Sequence, residues 1–109
     1  MNVTEHNGRI TSASIFIEDH GLLTLMLQIE DNLGSNGFGG YQYDFRKVVD
    51  GHAEWSSKGC SDLASHVRQI LTVFGVDRWE SVGGYCRVLR DGNKILAVGH
   101  IVENKWWAP

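Results

Sequence analysis

The chain has 109 residues and a net charge of −3 at pH 7, with ten Lys and Arg against thirteen Asp and Glu. That length predicts a single domain, residues 1–109, which buries about two-thirds of its unfolded surface. The acidic balance argues against a general binder of polymeric nucleic acid, because such proteins need a broad basic surface. Two isolated cysteines, a polar N-terminus and short apolar runs predict a reduced, cytoplasmic protein without a membrane segment.

A β-hairpin with one buried face is predicted in the first third of the chain. Residues 10–17 are rich in β-branched side chains, and residues 18–21 make a turn. Residues 22–30 alternate between apolar and polar side chains, which is the period of a strand. One face carries Leu23, Leu25, Leu27 and Ile29, and the other carries Thr24, Gln28 and Glu30.

A glycine-rich run, Gly37-Phe38-Gly39-Gly40-Tyr41, falls in a polar loop predicted for residues 31–40. Its bare backbone would let amide groups approach a ligand, and the flanking rings of Phe38 and Tyr41 suit a nucleobase above a phosphate. The alternative is a hairpin loop that needs positive φ angles, with both rings folded back as core anchors. The run matches neither a phosphate-binding loop nor a dinucleotide fingerprint.

One long helix is predicted in the middle of the chain. Residues 41–45 alternate as a third strand, and residues 46–59 are predicted to be a loop with at most a short helical turn. Residues 61–74 then carry apolar side chains at helical spacing. Ser61 is expected to cap the start of this helix, and Gly75 to end it in the left-handed conformation.

A second hairpin is predicted after the helix. Residues 77–80 form a short turn in which Trp79 covers the helix end. Residues 85–89 and 94–102 are strands joined by the turn at Asp91-Gly92, and the second strand is apolar on both faces. Together these elements predict an α+β fold, an antiparallel sheet of about five strands with one main helix packed on it.

A few placed cations are the predicted means of binding an anion, because the overall charge is acidic. Arg87 and Arg90 are three residues apart on one strand and should face opposite sides, so at most one of them lines a given pocket. For each cation the alternative is an ordinary solvated surface charge. The candidates are Arg68, Arg87 and Arg90.

Lys105 and the adjacent indoles of Trp106 and Trp107 add a further candidate surface. Neighbouring residues on a strand point to opposite faces, so one indole should meet solvent, a ligand or another subunit. No catalytic residue, metal ligand or cofactor is predicted. The five histidines are not spaced as metal ligands on one element, and no serine lies in a Gly-x-Ser-x-Gly motif.

Several short pieces of the chain, taken in order, resemble a known phage family. They are Glu18-Asp19-His20-Gly21-Leu22-Leu23-Thr24, Gly37-Phe38-Gly39-Gly40-Tyr41, Val67-Arg68-Gln69-Ile70-Leu71, Phe74-Gly75-Val76-Asp77-Arg78-Trp79-Glu80, and Val98-Gly99-His100-Ile101 ahead of Lys105-Trp106. Their order and spacing are similar to those of the small anti-Thoeris proteins, phage sponges for cyclic ADP-ribose isomers. Residues 46–59 match nothing in that pattern.

The resemblance implies a phage anti-defence protein that is not an enzyme and acts in the cytoplasm of the infected bacterium. It would bind glycocyclic ADP-ribose, the signal made by bacterial TIR-domain enzymes, and withhold it from its effector. Members form homo-oligomers, dimers or hexamers, with the ligand between subunits, and some hold cyclic di- or trinucleotides of the CBASS defence at a separate site. The candidate ligand-binding residues are Phe38, Gly39, Gly40, Tyr41, Arg68, Arg87, Arg90, Lys105 and Trp106.

Two other classes of function stay open at the level of the sequence. One is an enzyme that degrades such a nucleotide, although no activated nucleophile or pair of carboxylates stands at a recognisable spacing. The other is an acidic interaction protein that blocks a host factor by direct contact. Such a protein would form a stable complex with a protein partner and have no affinity for nucleotides.

Overall fold

The computed structural model of the chain describes residues 2–109, apart from the side chain of Tyr41. Within that range eight strands and one α-helix follow one another, so the predicted α+β class is confirmed. The elements are β1 (Val3–Ile17), β2 (Leu22–Asp31), β3 (Gly34–Phe45), β4 (Lys47–Val49), β5 (His52–Glu54), α1 (Ser57–Phe74), a 3₁₀ turn (Trp79–Ser81), β6 (Gly84–Asp91), β7 (Lys94–Gly99) and β8 (Trp106–Trp107).

Six strands form one antiparallel sheet in the order β3-β2-β1-β6-β7-β8, and β4 pairs with β5 in a separate ribbon. The prediction of about five strands is therefore too low. The ribbon lies where a loop was expected, because every residue of β4 and β5 is exposed and the segment has no buried face to create an alternating pattern. β8 is only two residues long, too short for periodicity to detect.

The large sheet curls until its two edge strands come together. Phe38 of β3 and Trp107 of β8 lie at opposite ends of the strand order, yet their ring centroids are 5.5 Å apart. α1 lies across this meeting point. The ring of His66, on α1, is 5.8 Å from that of Trp107, and the Nδ1 of His66 is 2.6 Å from the Tyr43 hydroxyl. The twist of an antiparallel sheet permits such closure, which protects edges that would otherwise be exposed.

The buried face of β2 forms the centre of the core, as its alternation predicts. Leu25, Leu27 and Ile29 are completely buried. Thr24, expected on the solvent face, is also buried. The Thr24 hydroxyl donates to the carbonyl of Leu22 at 3.0 Å, so burial leaves this polar group satisfied.

α1 begins earlier than its apolar stripe predicts. Its N-cap is Ser56, whose hydroxyl accepts the Gly59 amide at 3.0 Å, so the expected cap at Ser61 is wrong. A Cβ at Gly59 would stand 2.5 Å from the carbonyl oxygen of Tyr43, so the first turn of the helix can approach β3 only with glycine there. Gly75 ends the helix at φ 66°, as predicted. Within residues 2–109, no helix combines the length and apolar character needed to cross a membrane.

The glycine-rich run is part of strand β3, and the predicted long polar loop does not exist. Only a tight turn separates β2 from β3. Phe38 is buried against Trp107, which matches the alternative of a core anchor. A Cβ at Gly37 would meet the Met26 sulfur at 2.7 Å, and one at Gly39 would meet the Leu25 carbonyl oxygen at 3.1 Å, so these glycines let β3 pack closely on β2. The prediction for the Tyr41 ring falls outside the described side chains.

The second hairpin, β6 to β7, is confirmed, with Gly92 at φ 58° in its turn. β7 stops at Gly99, however, and does not continue to residue 102. Residues 100–105 leave the sheet as a loop, and the chain returns as β8 beside β7. β7 therefore lies between two strands, in agreement with its apolar character on both faces.

Candidate ligand-binding site

A cleft of about 410 Å³ lies between the second half of α1 and the segment that leads into β8. Its volume is within the range of about 300–1,000 Å³ that is usual for small-molecule sites. The cleft brings together three residues that the sequence analysis proposed separately: Arg68, Lys105 and Trp106. Its lining residues are Arg68, Gln69, Thr72, Val73, Lys105 and Trp106.

Arg68 supplies an uncompensated positive charge on the helical wall of this cleft. Its side chain is exposed, and among the described residues no carboxylate or carbonyl accepts a hydrogen bond from its guanidinium. The neighbouring Gln69 instead donates to Ser65 at 3.1 Å. A guanidinium that keeps all its donors can bind a phosphate through two parallel hydrogen bonds.

Lys105 and Trp106 form the opposite wall. The Lys105 ammonium contacts the Glu103 carboxylate at 2.9 Å, and this hydrogen bond, with the charge of Lys105, lowers the pKa of Glu103. Such an exposed ion pair is weak, so an incoming anion can compete for the ammonium. The Trp106 indole is half-buried and donates to the Asn104 side chain at 3.1 Å.

Arg87 holds the loop that carries this wall. Its Nε donates to the carbonyl of His100 at 2.7 Å, and its Nη2 donates to the carbonyl of Glu103 at 2.6 Å. The guanidinium carbon is 4.7 Å from the centroid of the Trp106 ring, a cation–π distance. Arg87 therefore borders the site through Trp106 and the loop backbone, and does not line the cleft itself.

His100 stabilises the same loop through hydrogen bonds to its backbone. Its Nδ1 accepts the backbone amides of Val102 at 3.1 Å and Glu103 at 2.9 Å, so this nitrogen carries no proton. Its own amide donates to the carbonyl of Lys105 at 3.0 Å. The four-residue span between the two ends of the loop is thus stabilised by internal hydrogen bonds, which sets the position of Lys105 at the cleft.

The absence of a side chain at Gly99 leaves room for the Trp106 ring. The two residues are paired across β7 and β8, and a Cβ at Gly99 would stand 2.6 Å from the Trp106 Cε3. With glycine there, the indole lies over the backbone of β7 and reaches Arg87 on β6. Gly99 belongs to one of the short pieces that carry the family resemblance, and its spacing from Trp106 alone does not reveal this contact.

Arg90 lies in the interior and is not presented to a ligand, which corrects its inclusion among the candidates. Its side chain is 1% exposed and forms a fork-like pair with Asp31, Nε to Oδ2 at 2.6 Å and Nη2 to Oδ1 at 3.0 Å. It also donates to Asn36 and to the carbonyl of Asn93, each at 3.0 Å. The prediction that Arg87 and Arg90 face opposite sides of the strand agrees with the burial pattern of β6.

Burial by itself raises the pKa of the Asp31 carboxyl, but the hydrogen bonds from Arg90 and from the Leu33 amide, with the Arg90 charge, outweigh it. The net effect is that the pKa of Asp31 is lowered. Asp31 therefore stays ionised inside the domain, where its charge balances that of Arg90.

Phe38, Gly39 and Gly40 are not among the described residues that line the cleft. Phe38 and Gly39 lie against Trp107, on the core side of β8, and Gly40 lies over Met26. Phe38 is buried in the packing of β3, and the contact of Gly39 and Gly40 with a ligand stays a prediction. Gln69 and Thr72, which the sequence analysis did not single out as ligand-binding residues, lie in the cleft because they follow Arg68 at helical spacing.

Within the described part of the chain, no group of three or more His, Cys, Asp and Glu side chains is arranged to hold a metal ion. Of the two cysteines, Cys60 is exposed and Cys86 is buried. Burial, with the nearby charge of Asp31, raises the pKa of the Cys86 thiol to about 11, which makes it a poor nucleophile.

Comparison with family models, with curated proteins and with solved structures yields no match for this chain.

Proposed function

We propose that the protein binds a cyclic ADP-ribose isomer, glycocyclic ADP-ribose in the first place, in this cleft and sequesters it without cleaving it. It would then act as a phage anti-defence protein in the cytoplasm of an infected bacterium. The observation that carries the proposal is the convergence of the unpaired Arg68 guanidinium, the Lys105 ammonium and the Trp106 ring in one cleft. Cations suit the diphosphate of such a ligand, and an indole suits its base.

The cleft alone cannot account for sequestration. Removing a signal from its effector needs a nanomolar dissociation constant, about −12 kcal/mol. A charge-assisted hydrogen bond contributes about 1.5–3 kcal/mol, and a stacked base about 1–3 kcal/mol. Two cations and one ring fall short of the total, so further contacts are required. A second subunit that covers the open cleft would supply them, and we therefore include a homo-oligomer, a dimer or a hexamer, in the proposal.

The composition of the cleft favours binding over the alternative of an enzyme that degrades the nucleotide. Its lining has no histidine, cysteine or carboxylate, the side chains that most often act as a general base. Lys105 is the one titratable group there besides Arg68, and it is paired with Glu103.

Calorimetric titration with cyclic ADP-ribose isomers tests the proposal directly. After binding, the complex is heated, the protein is removed and the released nucleotide is analysed by chromatography. Sequestration returns the ligand unchanged, whereas an enzyme returns fragments. Absence of heat with every isomer and with the cyclic di- and trinucleotides of CBASS would refute nucleotide binding. A stable complex with a host protein would then support the third class, direct blocking of a host factor.

A further inference from the structure

Half of β1 has no partner on one side. β1 pairs with β2 along most of its length, but it pairs with β6 only through residues 3–10. On the open side beyond that point, the Trp79 indole donates to the carbonyl of Ala13 at 3.2 Å. Alternate residues of an antiparallel strand direct their N–H and C=O to the same side, so Ile15 and Ile17 direct theirs to the same side as Ala13. Among the described residues, no partner pairs with these groups.

This open edge lacks the devices that usually keep an edge strand from pairing. Residues 11–17 contain no charged residue and no proline. The side chains of Ile15, Phe16 and Ile17 are 38%, 41% and 42% exposed, although all three are large and apolar. Unpaired backbone groups beside exposed apolar side chains characterise a surface that pairs with another strand.

We propose that this edge pairs antiparallel with the same edge of a second copy of the chain, about a two-fold axis at Phe16. In that register Ile15 lies opposite Ile17 of the partner subunit, and the outward N–H and C=O of both residues form about four hydrogen bonds across the axis. The two Phe16 side chains face each other in a closely spaced, non-hydrogen-bonded pair. The bond from Trp79 to Ala13 is kept.

The occupant is a second copy because the edge is self-complementary. The segment carries no charge, so two copies meet without repulsion, and the apolar side chains of each cover those of the other. A register centred on Ile15 is disfavoured, because it places Ile17 of the partner subunit against Ala13, whose carbonyl is already occupied. This pairing does not depend on nucleotide binding in the cleft.

Disulfide cross-linking tests both the surface and its register. In a Cys60→Ser background, Phe16→Cys should oxidise to a covalent dimer, since opposed non-hydrogen-bonded residues have Cα atoms about 4.5 Å apart, within disulfide reach. Val102→Cys is the matched control, because Val102 is 78% exposed and should stay monomeric on a non-reducing gel. Ile15→Cys should cross-link with Ile17→Cys more efficiently than with itself. Equal cross-linking of Phe16→Cys and Val102→Cys would overturn the proposal.

A second variant measures the pairing without oxidation. Phe16→Lys places like charges opposite each other across the axis, so light scattering should show a fall from the paired species to the monomer. Val102→Lys adds the same charge elsewhere and should leave the mass unchanged. A monomeric wild-type protein, or a Phe16→Lys variant that keeps the wild-type mass, would refute the pairing. If dimers form but no nucleotide binds, only the proposed function fails; should Phe16→Lys not fold, the cross-linking result decides.

Discussion

Two regions of the molecule each contain an arginine, and they differ in where its partners come from. Beneath the β2–β3 turn, Arg90 is 1% exposed and Asp31 neutralises it within the domain. On α1, Arg68 is exposed, and no described residue accepts a hydrogen bond from its guanidinium. The first arginine is therefore committed to the fold, and the second keeps the free donors that the proposed ligand requires. The difference shows that burial and partners assign an arginine to structure or to binding, and residue type alone does not.

Removing Arg90 should have the largest effect on stability. Arg90→Met leaves the buried Asp31 carboxylate without its partner, and breaking such a pair costs about 3–5 kcal/mol. Urea unfolding should show a midpoint far below that of the wild type. The double variant Arg90→Met with Asp31→Leu, which removes both charges, should recover much of the loss. An unchanged midpoint in the single variant would contradict the structural role.

The ion pair between Arg90 and Asp31 should also make the stability of the protein depend on pH. Because the folded-state pKa of Asp31 is lowered, its stabilisation is complete above its ordinary value of 3.8 and is lost as the pH falls through the lower folded-state pKa. Urea unfolding at a series of pH values should show the gap between wild type and Arg90→Met narrowing below about pH 4. A constant gap down to pH 2 would mean that Asp31 does not titrate with the pair.

Arg87 should affect both stability and binding, because it stabilises the loop that carries Lys105 and contacts Trp106 at the cleft. Arg87→Ala removes two short hydrogen bonds to loop carbonyls and the contact with Trp106, at a cost of about 1–3 kcal/mol. Nucleotide affinity should fall as the loop that carries Lys105 loosens. Arg87→Lys keeps the charge but not the planar fork, so it should behave more like alanine than like the wild type. Wild-type nucleotide affinity and stability in the lysine variant would point to a purely electrostatic role.

Replacing Arg68 should weaken binding only. Of the arginine substitutions considered, it should change stability least. Arg68→Ala should weaken nucleotide affinity at least tenfold, about 1.4 kcal/mol, and leave the melting temperature nearly unchanged. Arg78→Ala is a matched control, since Arg78 is also exposed and is absent from the lining of the cleft. Calorimetric titration of both variants makes the comparison. Equal affinity in the two would remove Arg68 from the site.

The elements that the sequence predicts well are those with a regular buried face. The alternation of β2 and the helical stripe of α1 each reflect one side packed against the core, so local spacing is enough to identify them. The β4–β5 ribbon has no buried face, and β3 is rich in glycine, which weakens strand propensity. The ribbon and the glycine-rich first half of β3 are predicted as loops because no local pattern distinguishes them from loops, whereas residues 41–45 are correctly predicted as a strand.

The candidate site was predicted only in part, and for a related reason. Arg68, Lys105 and Trp106 were proposed one by one, without any indication that they meet, because helical and strand spacing says nothing about contacts between distant segments. Arg90 looked equivalent to Arg68 in the sequence. Its partner Asp31 precedes it by a large part of the chain, and the pair forms only across the folded sheet.

Local sequence patterns are enough to predict the α+β class, the two hairpins and the end of the helix at Gly75, since each depends on interactions among near neighbours. The packing of the sheet and the helix determines that Arg90 is buried and that Arg68 stays exposed. It also decided that the edges of the sheet meet at Phe38 and Trp107. These outcomes depend on how far the sheet curls, and that curl is a sum of packing contacts between residues remote in the chain.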